Sequence, residues 1–474
     1  MTENDKSVTL NPYFQGLQWG FLVLAVGILL FQYAFNRSLW LDEASLALNI
    51  QERDMQGILR PLDYDQAAPL GFLVIVEALT NVIGISEYSL RFIPLIAGLL
   101  TIGLLIWVCR MIAPSALPLA LGLLATSAIH IDYATEFKQY ALDATLALWY
   151  LGLSVQISHQ RHPKHIALAT LTGVVAVWFS HAIIFMLAGC GLVLWLDAIR
   201  QRNWRTFGHL TLMGIAQVIS FVLVYVVSYQ AVLHSTPLAD FMNNFWEDYF
   251  LRATPYSVFW FIFHTFTYLA GIGQLVLIVL VFYGFLLGLL RIGWRVAGFI
   301  FVPVILMCGA SFLDLYPLSD RFLLYIFAPL MIIIALGWHS LIHNIAKKNP
   351  RVGVGLLLIL TVLLLIRIPV PIYKDDVRGA FEWLESVRAP NDPVYAIILT
   401  GRTGKYYGYE SQHFPAPIPT DERVWIVIDR PLSHPQVGLN VTHVVYSFIG
   451  RYGIYVMCIP TINKPCPINL GNSS

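Results

Sequence analysis

The sequence predicts an all-α polytopic membrane protein of about eleven helical spans, followed by a small C-terminal extracytoplasmic α/β domain. Three observations predict the class. Hydrophobic residues make up 57% of the 474-residue chain and charged residues 12%, with mean hydropathy +0.68; soluble domains carry about 25% charge. Apolar runs of spanning length recur up to residue 369. There the composition changes sharply, and Lys374-Asp375-Asp376-Val377-Arg378 opens a polar tail. A net charge of +1 supports no nucleic-acid partner.

The elements follow in order. A polar start, Met1 to Asn11, precedes an apolar run without a small-residue cleavage site, which reads as a retained helix. Spans are expected at 17–35, 88–109, 116–131, 143–158, 166–181, 182–199, 210–229, 272–290, 297–313, 322–341 and 352–369. Segment 69–84 is apolar but short, with Glu77 in its middle, and predicts a helix lying on or dipping into the membrane surface.

Loop charge orients this layout. With the N-terminus inside, the inner loops hold Arg110, Arg161, Lys164, Arg200, Arg202, Arg205, Arg291, Arg295, Lys347, Lys348 and Arg351. The short outer loops hold only Lys138 and Arg321. That is the positive-inside bias, and making 69–84 a full span would reverse it for Arg161 to Arg205. The outer face then receives a first loop at 36–87, the 132–142 turn, a loop at 230–271 with Asp240, Glu247 and Asp248, and the tail. Two domains are expected: a transmembrane catalytic domain over 1–369, outer loop 36–87 included, and an extracytoplasmic α/β domain over 370–474. In the tail, Ala380 to Val387 reads as a helix; Val394 to Leu399, Val424 to Ile428 and His443 to Tyr446 read as strands.

The five cysteines have no metal spacing, and no metal or cofactor is expected. Cys109, Cys190 and Cys308 lie in apolar runs as small buried residues. Cys458 and Cys466 are placed to form a disulfide if the tail faces an oxidising compartment. Asn36, Asn440 and Asn472 have glycosylation spacing.

Four constellations carry possible chemistry. Asp42 and Glu43 follow the first span directly, and acids at a membrane edge are costly enough to need a role. Adjacent helical residues point about 100° apart, so one works and the other helps, unless both simply complement a helix N-terminus. Asp132, Glu136, Gln139 and Asp143 have the spacing of one polar helical stripe running into an apolar span; a solvated loop is the plainer reading. Asp63, Tyr64, Asp65 and Gln66 precede Pro69, a helix-start proline. Arg321 stands at the edge of a span, as a phosphate ligand or a snorkelling anchor, and His181 lies between two tightly linked spans.

These residues give the chain its resemblance to the C-type glycosyltransferases (GT-C), nearest to the protein O-mannosyltransferases and the aminoarabinose transferase of lipid A. Residues 17–190 carry it, in Leu39-Trp40-Leu41-Asp42-Glu43-Ala44, Ala68-Pro69-Leu70-Gly71, Ser86 to Pro94, and Tyr133-Ala-Thr-Glu136-Phe-Lys138-Gln-Tyr140. Asp320-Arg321-Phe322 and Lys374 to Leu384 fit more loosely. The resemblance implies a polyprenyl-phosphate-linked sugar donor, transfer with inversion at the outer face to a glycan, lipid or protein acceptor, and no metal. It gives Asp42 the general-base role with Glu43 beside it; the charge of a leaving phosphate calls for cations, for which Arg321 and Lys138 are favoured over Arg91, which stands four residues after Glu87 and can pair with it instead. Asp132, Glu136 and Asp143 become second-loop acids; Tyr64, Asp65 and His181 line the substrate cavity. The chain departs from the pattern at Ala67-Ala68-Pro69 and at Phe137-Lys138, where relatives carry other residues, which leaves the phosphate contact open.

The implied setting is the bacterial inner membrane, with the N-terminus cytoplasmic and the bilayer itself a partner. The rivals are a non-catalytic lipid or solute transporter and a glycan ligase using a diphosphate-linked oligosaccharide. Transporters tend to show internal repeats and helices broken at mid-membrane, and the sequence displays neither.

Overall fold

The computed structural model describes residues 11–229, 245–271, 275–368, 370–413, 423–428, 444–448, 454–459 and 466. Asp240, Asn440 and Asn472 lie outside them. The chain packs as two compact units. One comprises Met1–Tyr33, Ala68–Ile75 and Arg91–Val370; the other comprises Ala34–Ala67, Val76–Leu90 and Pro371–Ser474. Most of the first loop, 36–67 and 76–87, therefore groups with the tail, while 68–75 groups with the bundle.

The first unit is a bundle of helices: α1 (Asn11–Ala34), α4 (Glu87–Ile112), α5 (Leu117–Ala125), α6 (Ala128–Ala134), α7 (Tyr140–Gln160), α8 (Pro163–Ala176), α9 (Ile183–Arg200), α10 (Trp204–Val224), α11 (Pro255–Ala270), α12 (Leu275–Leu289), α13 (Trp294–Phe312), α14 (Leu324–Lys348) and α15 (Pro350–Ile366). A helix stands at each of the eleven expected spans. Six described helices are long and apolar enough to cross a membrane, and up to eight crossings result if each bent pair counts as one. α3 (Leu70–Ile83) is apolar but only 14 residues long, about 21 Å, short of a full span.

Three expectations are corrected in the bundle. The span expected at 116–131 is broken: α5 and α6 meet at a 65° bend. The Asp132-to-Asp143 stripe is not one helical face, because α6 stops at Ala134 and α7 starts at Tyr140. The Thr135 hydroxyl bonds back to the carbonyls of Ile131 (2.9 Å) and Asp132 (3.2 Å), which ends the helix locally. The expected outer loop 230–271 contains α11, started by Pro255 and capped by the Thr254 hydroxyl, which accepts from Ser257 N–H at 3.2 Å.

One buried side chain ties the breaks together. Arg367, just past α15, is 7% exposed. Its guanidinium donates to the carbonyls of Leu123 (3.0 Å) and Thr126 (2.9 Å) at the end of α5, and of Leu269 (2.7 Å) and Ala270 (3.1 Å) at the end of α11. Helix C-termini leave such carbonyls without intrahelical partners, and Arg367 answers four of them. Elsewhere α12 and α14 touch backbone to backbone. A Cβ at Gly337 would fall on Gly284 O, and one at Gly288 on Ile333 O.

The second unit contains α2 (Leu41–Glu52), α16 (Val377–Val387), α17 (Ile398–Tyr406) and a five-stranded mixed sheet ordered β2-β1-β3-β5-β4. The strands are β1 (Val394–Ala396), β2 (Gln412–His413), β3 (Val424–Ile428), β4 (Val444–Phe448) and β5 (Ile454–Ile459). β1 pairs parallel with β2 and β3, and β5 antiparallel with β3 and β4. The expected strand 394–399 is shorter, since Ile398 already begins α17. Helix α16 shows why it forms: Val377, Ala380, Phe381 and Leu384 recur at helical spacing and are all buried. Asp376 caps it, accepting from Gly379 N–H at 3.0 Å. That stripe packs with Trp425, Val427, Ile454 and Val456, and with Leu41 of α2. Asp392 is buried against β3: its Oδ2 accepts from Arg423 Nη2 (2.6 Å) and from Trp425 Nε1 (3.1 Å). Burial alone would raise its carboxyl, but these bonds outweigh that and hold it below the usual carboxylate range. Cys458 and Cys466 form a disulfide, with Cα atoms 5.9 Å apart.

Candidate functional site

In the second unit, Leu41 lies in the tail's apolar core, so burial pins the first turn of α2. The segment leading into it is also fixed. Leu39 N–H donates to Tyr407 Oη (2.8 Å), and Arg378 donates to Asn36 O (3.0 Å) and Glu87 Oε1 (2.6 Å). The Asp42–Glu43 pair is presented on this rigid base.

The two acids diverge. Glu43 is fully buried, and its Oε2 accepts the Trp40 N–H at 3.0 Å, one of the donors that a helix start leaves open. Asp42 is half-buried, and its Oδ1 accepts from Gln66 Nε2 at 3.3 Å. Gln66 also donates to Tyr64 O at 3.3 Å. Trp40, one residue from α2, lies under the Lys374 ammonium, 4.8 Å from the ring centroid.

Gln66 is delivered by a strained strap. Tyr64 (φ 62°) and Asp65 (φ 56°) are consecutive non-glycine residues in the left-handed region, a conformation that costs about 1–3 kcal/mol per residue unless its surroundings enforce it. Helix α17 enforces it. Arg402 donates to Tyr64 O (3.0 Å) and Asp65 Oδ2 (3.0 Å), while Lys405 donates to Tyr64 Oη (2.9 Å) and Glu52 Oε1 (2.6 Å). Tyr64 Oη–H in turn donates to Glu52 Oε2 at 2.6 Å. Burial pulls the Glu52 carboxyl upward, but the Lys405 and Tyr64 bonds win and leave it below its ordinary value. Burial and the adjacent Glu52 push the Tyr64 phenol up.

In the bundle unit, the Arg321 guanidinium sits 4.7 Å from the Trp246 ring centroid, 5.8 Å from Phe322 and 5.9 Å from Tyr140. Asp320 Oδ1 accepts the Arg321 N–H (2.8 Å) and the Ser319 hydroxyl (2.8 Å), and Tyr133 Oη–H donates to Asp320 Oδ2 (3.4 Å). Tyr133 and Tyr140 thus join the Arg321 loop to the two ends of the α6–α7 turn. That turn holds Glu136 and Lys138, both buried, with Lys138 N–H on Glu136 O at 2.7 Å; Asp132 is half-buried. Arg91 is buried in α4.

Asp143 is buried in the first turn of α7 with Ser180 beside it, next to half-buried His181. The turn holding Ser180 and His181 docks on Gly71, whose N–H donates to Trp178 O at 2.7 Å. A Cβ there would come within 2.8 Å of Trp178 O and 2.9 Å of the Phe179 ring. That close approach is the physical content of the Pro69-Leu70-Gly71 motif.

The structure thus groups Asp42 with the strap of Tyr64 and Asp65 in one unit, and in the other Arg321 with the second-loop turn, and Asp143 with Ser180 and His181. Sequence reading missed Gln66, Arg402, Lys405 and Arg367 as working parts. The left-handed pair had no glycine to mark it. Arg367 falls inside the expected span 352–369, with no local pattern to single it out. Among the described residues, no group of three or more His, Cys, Asp or Glu is placed to hold a metal ion.

No protein-family model matches the chain, and no curated protein matches it. Solved structures do. ArnT from Cupriavidus metallidurans in the apo state is similar with TM-score 0.54 and 14% identity, over 93% of this chain and 98% of that one. The same protein bound to undecaprenyl phosphate is similar with TM-score 0.55 and 14% identity, over 94% and 99%. The likeness is one of fold and spans nearly the whole chain: a mostly helical chain with several apolar spans and a small C-terminal sheet.

Proposed function

We propose that the chain is an integral membrane glycosyltransferase that moves a sugar from a polyprenyl-phosphate donor to an acceptor hydroxyl, with Asp42 as general base. The observation that carries this reading is the division of labour between adjacent acids. Glu43 is consumed by its own helix start, whereas Asp42 is half-buried, pinned and oriented by Gln66. The shared fold with a protein that binds undecaprenyl phosphate supports the donor class.

In the proposed reaction, the acceptor O–H gives its proton to the Asp42 carboxylate as the oxygen attacks the anomeric carbon. The bond from that carbon to the phosphate oxygen breaks with its electrons leaving on the phosphate, and a single displacement inverts the centre. No acid is needed for a phosphate leaving group; cations are. Arg321 suits the role, since its aromatic surround orients a planar fork. Lys138 and Arg91 are the further candidates. Glu136, Asp132, Asp143 and His181 fall to shaping the cavity. The orientation proposed is the one loop charge predicts, with the tail outside.

The break between α5 and α6 is one feature a transporter would share, and one experiment separates the readings. Asp42→Asn keeps the shape and removes the base. Release of polyprenyl phosphate from sugar-loaded donors in proteoliposomes should fall by about 10²–10⁴, while donor retention stays at the wild-type level. Turnover near wild type would overturn the assignment.

A further inference from the structure

Where α9 ends and α13 begins, the bundle carries a cavity of about 460 Å³ lined by Asp197, Arg200, Gln201, Trp294 and Arg295. Asp197 is buried at its base. Its carboxylate takes Gln201 Nε2 (2.7 Å), Arg295 Nε (2.9 Å) and Arg161 Nη2 (3.4 Å). One negative charge thus faces two guanidinium groups, and Arg200 adds a third. The Trp294 ring lies beneath Arg200 (5.0 Å) and Arg295 (5.5 Å), holding both planar forks at the cavity. Two arginines and one acid line the cavity, an excess of one positive charge, and Arg161, paired to the same acid, raises the local excess to two; arginine forks match phosphate oxygens two at a time.

The cavity is separate from the candidate site. Asp143 opens α7 and Arg161 closes the same helix, so the cavity lies one helix length from Asp143, about 30 Å. On the side of α9 leading away from it, Leu192, Trp195 and Leu196 are exposed. A basic cavity continuous with an apolar helix surface, with tryptophan at the junction, fits an amphiphile rather than a soluble anion.

We propose that this cavity binds the phosphate headgroup of an anionic phospholipid, whose acyl chains lie along the exposed apolar face of α9. On the orientation proposed above, the cavity faces the inner leaflet, where such lipids meet basic residues.

The test is native mass spectrometry of the purified full-length protein titrated with phosphatidylglycerol, with phosphatidylcholine and inorganic phosphate as parallel arms. Phosphatidylglycerol should be retained and phosphatidylcholine not, and inorganic phosphate at equal concentration should not displace it. Each arginine removed should weaken retention about fivefold, so about fivefold for Arg200→Ala and about twenty-fivefold with Arg295→Ala added. Arg200 is exposed and outside the Asp197 pairing, so its variant remains decisive if the double variant fails to fold. Arg351→Ala, at another basic end, should change nothing. Equal retention of both lipids, an unaffected Arg200→Ala, an equal loss in Arg351→Ala, or displacement by phosphate would each overturn the proposal.

Discussion

Both units use ion pairs, but the bundle also holds an arginine by other chemistry. In the unit holding the tail, the cations meet carboxylates: Arg378 with Glu87, Arg402 with Asp65, Lys405 with Glu52, Arg423 with Asp392. In the bundle, Arg161 and Arg295 meet Asp197, whereas Arg367 meets four backbone carbonyls. The difference follows from water. A carboxylate partner carries its own desolvation cost into a dry site, which can exceed the attraction gained. Carbonyls at helix ends are already buried and already short of donors, so a guanidinium there answers a deficit without adding a second charge to solvate. Most ion pairs in the other unit are partly wetted and latch loops, with Arg423–Asp392 the buried exception.

That contrast can be broken most forcefully at Arg367. Arg367→Met would strand four carbonyls, each worth about 1–3 kcal/mol when left buried and unbonded. The expected result is a loss beyond about 3 kcal/mol, seen as collapsed accumulation and a lower thermal midpoint in detergent. Arg367→Lys should recover only part, since an ammonium has three donors and no fork. Wild-type stability for Arg367→Met would show that the carbonyls find other donors.

A latch should fail more gently. Arg402→Ala removes two bonds from the strained Tyr64–Asp65 strap and should let Gln66 drift from Asp42. Small misplacements of catalytic groups cost up to about 10²-fold; a tenfold fall in kcat with little change in KM is expected, with the fold intact by circular dichroism. An unchanged kcat would reduce the strap to a structural detail.

The smallest effect concerns pH. Asp392 has its folded carboxyl held below the ordinary value of about 4. Its contribution is therefore complete above that value and is lost as pH falls through the lower folded one. The gap in thermal midpoint between wild type and Asp392→Asn should be constant near neutrality and close in strong acid. A gap that widens on acidification would contradict the pairing.

How much of this was legible depended on whether the cause was local. Helix α16 announces itself through Val377, Ala380, Phe381 and Leu384, and β3 through its uninterrupted Val424–Ile428 run, because burial writes those periods directly. The Asp42–Glu43 pair was visible, but that Glu43 is taken up by its own helix start was not, since that depends on the capping bond to Trp40. The stripe from Asp132 failed for a comparable reason: spacing alone assumes a continuous helix, and the Thr135 hydroxyl ends it. Helix α11 hid in a run of aromatics with no charge period. β1 was overextended because apolar Ile397, Ile398 and Leu399 suit a strand or a helix start equally. Arg402 and Arg367 act on partners hundreds of residues away, and no local pattern records such a bond.

Arg367 also has a place in time. A chain made from its N-terminus presents the carbonyls of Leu123 and Thr126 first, those of Leu269 and Ala270 next, and the guanidinium last. An arginine entering hydrocarbon alone faces a penalty of about 2.5–3.5 kcal/mol on the insertion scale; this one arrives when its acceptors already exist. It works as a closing bolt on helices laid down earlier, and a chain truncated before it would leave both broken ends open.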